Sequence, residues 1–258
     1  MKDRPNTGPE EQGSGAAGIL RNAIPRAHAP ASPCSACPVR DVSFCNALTD
    51  EELGYLNRIS SDISLTAGQS LFDEGAPAEH VFNVTNGVIK VYKLLSDGRR
   101  QITGFLFPGD FLGLATREVY AYGAEAVCGA QLCRFNRRKL EGMLKEFPKV
   151  ERRLLGIASD ELALAQDQML ILGRKTAKEK IASFLLMLSD RARKSGHQSN
   201  PIFLPITRND IADSLGLTTE TVSRTITQLK TSGLITLLPG NEVRLENRST
   251  LENMAEGE

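Results

Sequence analysis

Three cysteines, Cys34, Cys37 and Cys45, stand in a C-x2-C-x7-C array. Their thiolates are soft ligands, close enough in sequence for one loop to wrap a metal centre, and Pro33 and Pro38 keep that loop out of helix. Far downstream, Thr219-Glu220-Thr221-Val222-Ser223-Arg224 offers a different chemistry. On a helix, Glu220, Ser223, Arg224 and Thr227 fall at i, i+3, i+4 and i+7, opposite the apolar Val222, Ile226 and Leu229. A carboxylate, a small hydroxyl and a guanidinium fork match the amino groups, the thymine methyl and the guanine O6/N7 pair of a major-groove edge. A merely solvated face would favour long, interchangeable Lys and Glu. Together the two sets imply a protein that couples a metal or redox event to DNA reading.

These groups need elements to position them. Thr49 followed by Glu52 forms a capping box that opens a helix. From about Ile63 to Phe135, apolar runs are split by turn residues at intervals of roughly ten, the mark of a compact all-β unit. Within it, 88–94 and 101–106 flank Ser96-Asp97-Gly98 as hairpin arms. Residues 148–173 read as one long helix. There Leu155, Leu162 and Met169 recur every seven residues, as do Ala158, Ala165 and Leu172, an a/d seam. One apolar stripe would also lay the helix on its own β-unit, but alanine in one series favours close approach by a second copy.

A second domain begins after Arg174-Lys175. Residues 177–194 are helical, Thr207 caps a helix Arg208–Leu215, Gly216 breaks it, and Thr218 caps the next helix over 219–231. Two short strands around Pro239-Gly240-Asn241 complete a winged helix-turn-helix. Thr219 and Arg208 are counted with Glu220, Ser223, Arg224 and Thr227 as DNA contacts. The organisation is then a disordered leader over 1–33, a cysteine loop plus β sensor domain over 34–147, a dimerisation helix over 148–173, a DNA-binding domain over 174–248 and a loose acidic tail over 249–258.

Bulk charge announces no partner, since 31 Lys and Arg balance 31 Asp and Glu. The segment 174–248 departs from that balance, with twelve basic against seven acidic residues, a moderate attraction to phosphates. No stretch approaches the roughly 18 apolar residues of a membrane span, and the first residues lack the apolar core of a secretory signal. The expected location is the cytoplasm, where clustered thiols stay reduced. His28, His80 and His197 are scattered and no nucleophile–base pair or phosphate-cradling loop stands out, which argues against an enzyme. Three roles remain for the thiols: a structural zinc site, a thiol–disulfide switch, or an iron–sulfur cluster. A four-thiolate cluster needs one more ligand, and only Cys128 and Cys133 can supply it.

The stretch from Arg174 to Leu185 (RKTAKEKIASFL), with the helix-turn-helix, the β-unit and the long helix, resembles the CRP/FNR superfamily over about 34–245. That resemblance implies an α+β fold: an N-terminal β-roll of the jelly-roll, cyclic-nucleotide-binding type, a long dimerisation helix and a C-terminal winged helix-turn-helix. Glu220-Thr221-Val222-Ser223-Arg224 matches the superfamily's E-x-x-S-R reading motif, implying that Arg224 contacts guanine, Glu220 the amino groups opposite and Ser223 a thymine. Thr219 stands where the catabolite-regulator branch has Arg, which points to the FNR-like branch and a TTGAT-N4-ATCAA-like palindrome. Gly109-Asp110-Phe111-Leu112-Gly113 echoes the cyclic-nucleotide turn. The Arg-Ser/Thr phosphate clamp is missing, because Thr116-Arg117 is followed by Glu118.

The x7 spacing is similar to that of FNR-type regulators of the alphaproteobacterial kind, the enteric pattern having a shorter last gap. Leu132-Cys133-Arg134-Phe135 resembles the segment that carries their fourth ligand. The resemblance therefore implies an oxygen-labile 4Fe–4S cluster on Cys34, Cys37, Cys45 and Cys133, with Cys128 left over. It implies a homodimeric regulator that binds double-stranded DNA when oxygen is low. The seam holds no charge, so a weak monomerising response on cluster loss is expected. The turn Ser96-Asp97-Gly98-Arg99-Arg100 resembles the superfamily's RNA polymerase contact and fits an ordinary solvated hairpin tip equally well.

Overall fold

The computed structural model describes residues 34, 36–114, 118–196 and 198–257. The expected leader over 1–33 lies outside the described residues, as do Thr116 and Arg117. The chain opens with a 3-10 turn (Phe44–Ala47) and α1 (Asp50–Ile59), whose capping box between Thr49 and Glu52 is complete. Eight strands follow: β1 (Ser60–Leu65), β2 (Ser70–Phe72), β3 (His80–Asn86), β4 (Ile89–Leu94), β5 (Arg100–Leu106), β6 (Phe111–Leu112), β7 (Gly123–Ala126) and β8 (Ala130–Asn136). They form two antiparallel four-stranded sheets, ordered β1-β8-β3-β6 and β2-β7-β4-β5.

Side-chain alternation makes the first sheet two-sided. Phe82, Val84, Leu112 and Leu132 point between the sheets, meeting Ile89, Leu106, Ala124 and Ala126. Val81, Phe111 and Phe135 point outward into a second core with Phe44, Leu48, Leu53, Leu56, Val150 and Leu154. The cysteine segment is thus a lid on the outer face of the roll. At the β3–β4 turn, Gly87 has φ +82° and a Cβ there would lie 2.4 Å from the carbonyl oxygen of Gly129, so only glycine fits.

Asn136 caps α2 (Arg137–Glu146), and Pro148 starts α3 (Pro148–Arg174) at a position where its missing N–H costs nothing. The first turns of α3 bury Val150 and Leu154 under the cysteine segment. Further along, the seam is bare: Leu155, Leu162 and Met169 are 68%, 61% and 69% exposed. Ala158 and Ala165 are exposed with them, and Leu172 is half-buried. An apolar stripe of this length marks an interaction face.

The second domain comprises α4 (Ala177–Lys194), β9 (Ile202–Phe203), α5 (Arg208–Leu215), α6 (Thr219–Thr231), β10 (Ile235–Leu238), β11 (Glu242–Leu245) and α7 (Arg248–Glu256). β9 joins the wing hairpin, giving the sheet order β10-β11-β9. The expected loose tail is instead α7. Asn247 caps it, and Leu251 (0% exposed) and Ala255 dock into the core. Its acidic composition hid an i, i+3, i+4 apolar set, Leu251, Met254 and Ala255. That core also runs across the domain boundary, because Val88, Ile102 and Phe105 of the roll pack with Phe184 and Leu215. No helix among the described residues is long and apolar enough to cross a membrane.

Candidate functional site

The thiol segment is a series of tight turns on an aromatic anchor. Backbone N–H groups of Cys37, Arg40 and Ser43 donate to the carbonyls of Cys34, Cys37 and Val39 at 3.4, 3.2 and 3.0 Å. Phe44, fully buried, sets its ring edge-on to Phe111 (5.0 Å) and Phe135 (5.6 Å), fixing the segment to β6 and β8. Arg40 ties it to α1 through Asp50 at 2.8 Å. Cys45 lies in the 3-10 turn, its N–H donating to Ser43 Oγ. The thiol of Cys34 donates to Asn57 Oδ1 at 3.7 Å.

The structure brings Cys133 to this segment. Its thiol donates to Asp62 Oδ1 at 3.8 Å. Burial pushes it up to about 12, and repulsion from Asp62 and then from Cys37, Cys45 and Cys34 adds to the rise. Burial pushes Cys45 up to about 11, with Cys34 and Cys37 adding to it and the Ser43 hydroxyl opposing. Four thiols are therefore within one another's electrostatic reach. Cys128 is elsewhere, packed on the core that joins the roll to the second domain. None of the five cysteines is in a disulfide.

These thiols fit an iron–sulfur cluster by chemistry and placement. They come from two chain segments; Cys34, Cys45 and Cys133 back onto an apolar core, and Cys34, Cys37 and Cys133 border a cavity of about 630 Å³ lined also by Asn57 and Asp62. Among the described residues, no three His, Cys, Asp or Glu side chains close on one metal ion. A zinc ion requires four sulfurs at about 2.3 Å from a single centre. A four-iron cluster instead gives each thiolate its own iron.

At the other end of the molecule, α6 presents its face as expected. Val222, Thr225, Ile226 and Leu229 are buried, while Glu220, Ser223, Arg224 and Thr227 are exposed. Neither Glu220 nor Arg224 forms an ion pair among the described residues, which leaves both heads available. Thr219 is occupied, its hydroxyl donating to Asn209 Oδ1 at 2.8 Å, so it braces α6 on α5. Arg208 is half-buried at the start of α5.

Between the two ends lies a polar linkage that sequence reasoning missed. Lys90 Nζ bridges Glu125 (2.8 Å) and Asp210 (2.9 Å), and Arg100 reaches Asp210 (3.0 Å) and Asp213 (3.2 Å). Burial alone would raise the Asp210 carboxyl. Lys90, the Thr207 hydroxyl and Arg100 outweigh it and hold the group below its ordinary value. The Ser214 carbonyl accepts from Gln168 of α3 (2.8 Å) and Gln101 of β5 (3.3 Å), and the Leu215 carbonyl accepts from Lys180 Nζ (3.1 Å). Arg100, expected in the solvated 96–100 turn, is instead turned into this linkage. Arg99, 76% exposed at its side chain, remains at the tip. Asp110, of the nucleotide-like turn, is engaged by Arg191 of α4 and by the Phe107 N–H rather than open to a ligand. Only Asp210, a first-turn acid on a capped helix, carried any local signal of this network.

Two family models match the chain: a cyclic nucleotide-binding domain over 62–147 and a Crp-like helix-turn-helix domain over 179–254. The transcriptional activatory protein AadR of Rhodopseudomonas palustris is 40% identical over 203 residues, covering 79% of this chain and 85% of its own. The transcriptional activator protein FnrL of Cereibacter sphaeroides is 41% identical over 208 residues, covering 79% and 84%. The structure of FixK2 from Bradyrhizobium japonicum superposes with a TM-score of 0.71 at 39% identity, covering 76% of this chain and 97% of that one.

Proposed function

We propose that this chain, which belongs to the CRP/FNR family of transcription regulators, is an oxygen-responsive activator that holds a 4Fe–4S cluster on Cys34, Cys37, Cys45 and Cys133. The observation that carries the reading is the convergence of Cys133 with the three upstream thiols. The cluster would supply an oxygen-labile crosslink between the cysteine segment and β8.

The chain's own residues carry that order onward. The segment from Cys34 to Leu48 covers Val150 and Leu154, so its packing steadies the start of α3. A second copy pairs along Leu155, Ala158, Leu162, Ala165, Met169 and Leu172, which are exposed or half-buried in one chain. Gln168 and the Lys90–Asp210–Arg100 linkage hold α5, and through it α6, to the paired helices and the roll. Two copies of α6 then enter successive major grooves of a TTGAT-N4-ATCAA-like palindrome. Arg224 reads guanine, Glu220 the opposite amino groups and Ser223 a thymine. The exposed tip at Asp97 and Arg99 is free to meet RNA polymerase.

Anaerobic iron and sulfide analysis tests this. Wild type and Cys128→Ala are expected to hold about four irons per chain and Cys133→Ala almost none. A colourless wild type with stoichiometric zinc, or with no metal, overturns the reading.

A further inference from the structure

Cys133 belongs to a row of four residues running straight across the outer face of the first sheet. Asp62 on β1 faces Cys133 on β8, Cys133 faces Asn83 on β3, and Asn83 faces Phe111 on β6. Directly opposed residues of antiparallel strands share a face, with Cβ atoms about 4.5–5.5 Å apart. The sulfur therefore has a carboxylate on one flank and a carboxamide on the other.

The two flanks differ in occupancy. Asp62 accepts the thiol proton at 3.8 Å. Asn83 is only 2% exposed, and its Nδ2 makes one long 3.5 Å bond to the Val84 carbonyl. Its Oδ1 is buried with no partner among the described residues. Its outward neighbours in the core beneath the cysteine segment, Val81, Phe111 and Phe135, are apolar, and the polar Gln131 lies further along β8, at the cavity. Asparagine is a poor strand former, and a buried amide without full hydrogen bonding opposes folding, so packing gives no reason for it. The assignment of its oxygen and nitrogen follows from the surrounding bonds, and turning the group about χ2 exchanges them.

We infer that Asn83 is a positioning residue for the cluster, turning its carboxamide to donate an N–H to the sulfur of Cys133 when that sulfur is a ligand. This rests on the cluster reading above. A ligating thiolate has no proton to give Asp62 and accepts hydrogen bonds only, and Asn83 is the one side chain in the row that brings a neutral donor. Hydrogen bonds to cluster sulfurs draw electron density off them and set potential, and such outer partners orient the ligands themselves.

Threonine and valine, near-isosteric and both at home in strands, separate donor from shape. Full-length wild type, Asn83→Val and Asn83→Thr, loaded with iron and sulfide without oxygen, are compared by iron content, midpoint potential, resonance Raman spectra in H2O and D2O, and decay of visible absorbance in air. All three are expected to hold about four irons. In Asn83→Val the D2O-sensitive shift of the iron–cysteine stretch is lost, the potential falls and decay in air speeds up about ten-fold. Asn83→Thr recovers most of each. Asn83→Leu, which branches at Cγ as asparagine does, repeats the measurement should valine fit the site too poorly to fold. Variants that hold iron but match wild type in isotope shift, potential and decay overturn this inference and leave the proposed function standing, with Asn83 satisfied by buried water alone. A wild type that takes up no iron overturns both.

Discussion

The reading helix and the thiol segment are held in opposite ways. α6 is capped by Thr218, rests on four buried side chains, is braced by Thr219 on Asn209, and presents Glu220 and Arg224 ready for a partner. The thiol segment has one 3-10 turn, backbone bonds mostly of 3.2–3.4 Å, and a single deeply seated ring, Phe44. The output surface is finished within one chain, whereas on the proposed reading the input surface would be completed by a cluster on its sulfurs. Such a switch would move by assembling the first region and repositioning the second, leaving the reading face itself unaltered.

Five experiments press on that contrast. The largest effect is expected from Leu162→Asp, which places two carboxylates against each other in the paired seam at a cost of several kcal/mol. Its mass in solution should be that of a monomer and specific DNA binding should vanish, with iron content unchanged. Iron-free wild type should remain dimeric at micromolar concentration, because no charge in the seam opposes pairing. A clean monomer refutes that.

Phe44→Ala comes next. Removing the ring should cost about 3–5 kcal/mol of packing, seen as early thermal loss of the segment over Phe111 and Phe135. Helix α6 should keep its amide-exchange protection. Equal loss of protection in both regions would abolish the contrast.

Arg224→Ala probes the other side. It should weaken binding to a guanine-containing half-site by about 1–3 kcal/mol and relax preference at that base. Cluster content and decay in air should not change, and anisotropy titrations against matched and substituted sites measure both parts.

The smallest effect concerns the linkage between the regions. The Asp210 carboxyl is held below its ordinary value in the folded chain, so its contribution is full above the unfolded aspartate range near pH ~4 and is lost as pH falls through the lower folded value. Asp210→Asn should flatten that acid limb of the melting temperature and lower stability at neutral pH by about 1–3 kcal/mol. Unchanged pH dependence would mean that Glu125 and Asp213 neutralise Lys90 and Arg100 unaided.

Local signals in the chain carry most of the output surface. Thr207, Gly216 and Thr218 bound α5 and α6 because caps and a left-handed stop are encoded within a few residues. The heptads of α3 are equally local, and the thiol array reads directly as ligand chemistry. Choosing Cys133 over Cys128 required the family resemblance, since nothing in either neighbourhood encodes which strand face meets the segment. Asn83 was invisible for the same reason: its place beside Cys133 comes from strand register across fifty residues of chain. Lys90 and Asp210, 120 positions apart, meet only because the second domain folds back on the roll. The helix α7 was lost behind an acidic surface that averaging over composition cannot see through.

The Ser214 oxygen receives one amide from the long helix and another from the roll. A single acceptor clasped by two bodies works as a mechanical differential. Should the long helix slide or roll against the barrel, at least one of the two clasps must lengthen or break. The DNA-facing end is thus moored to both bodies at one atom, and displacing either is expected to disturb its seat.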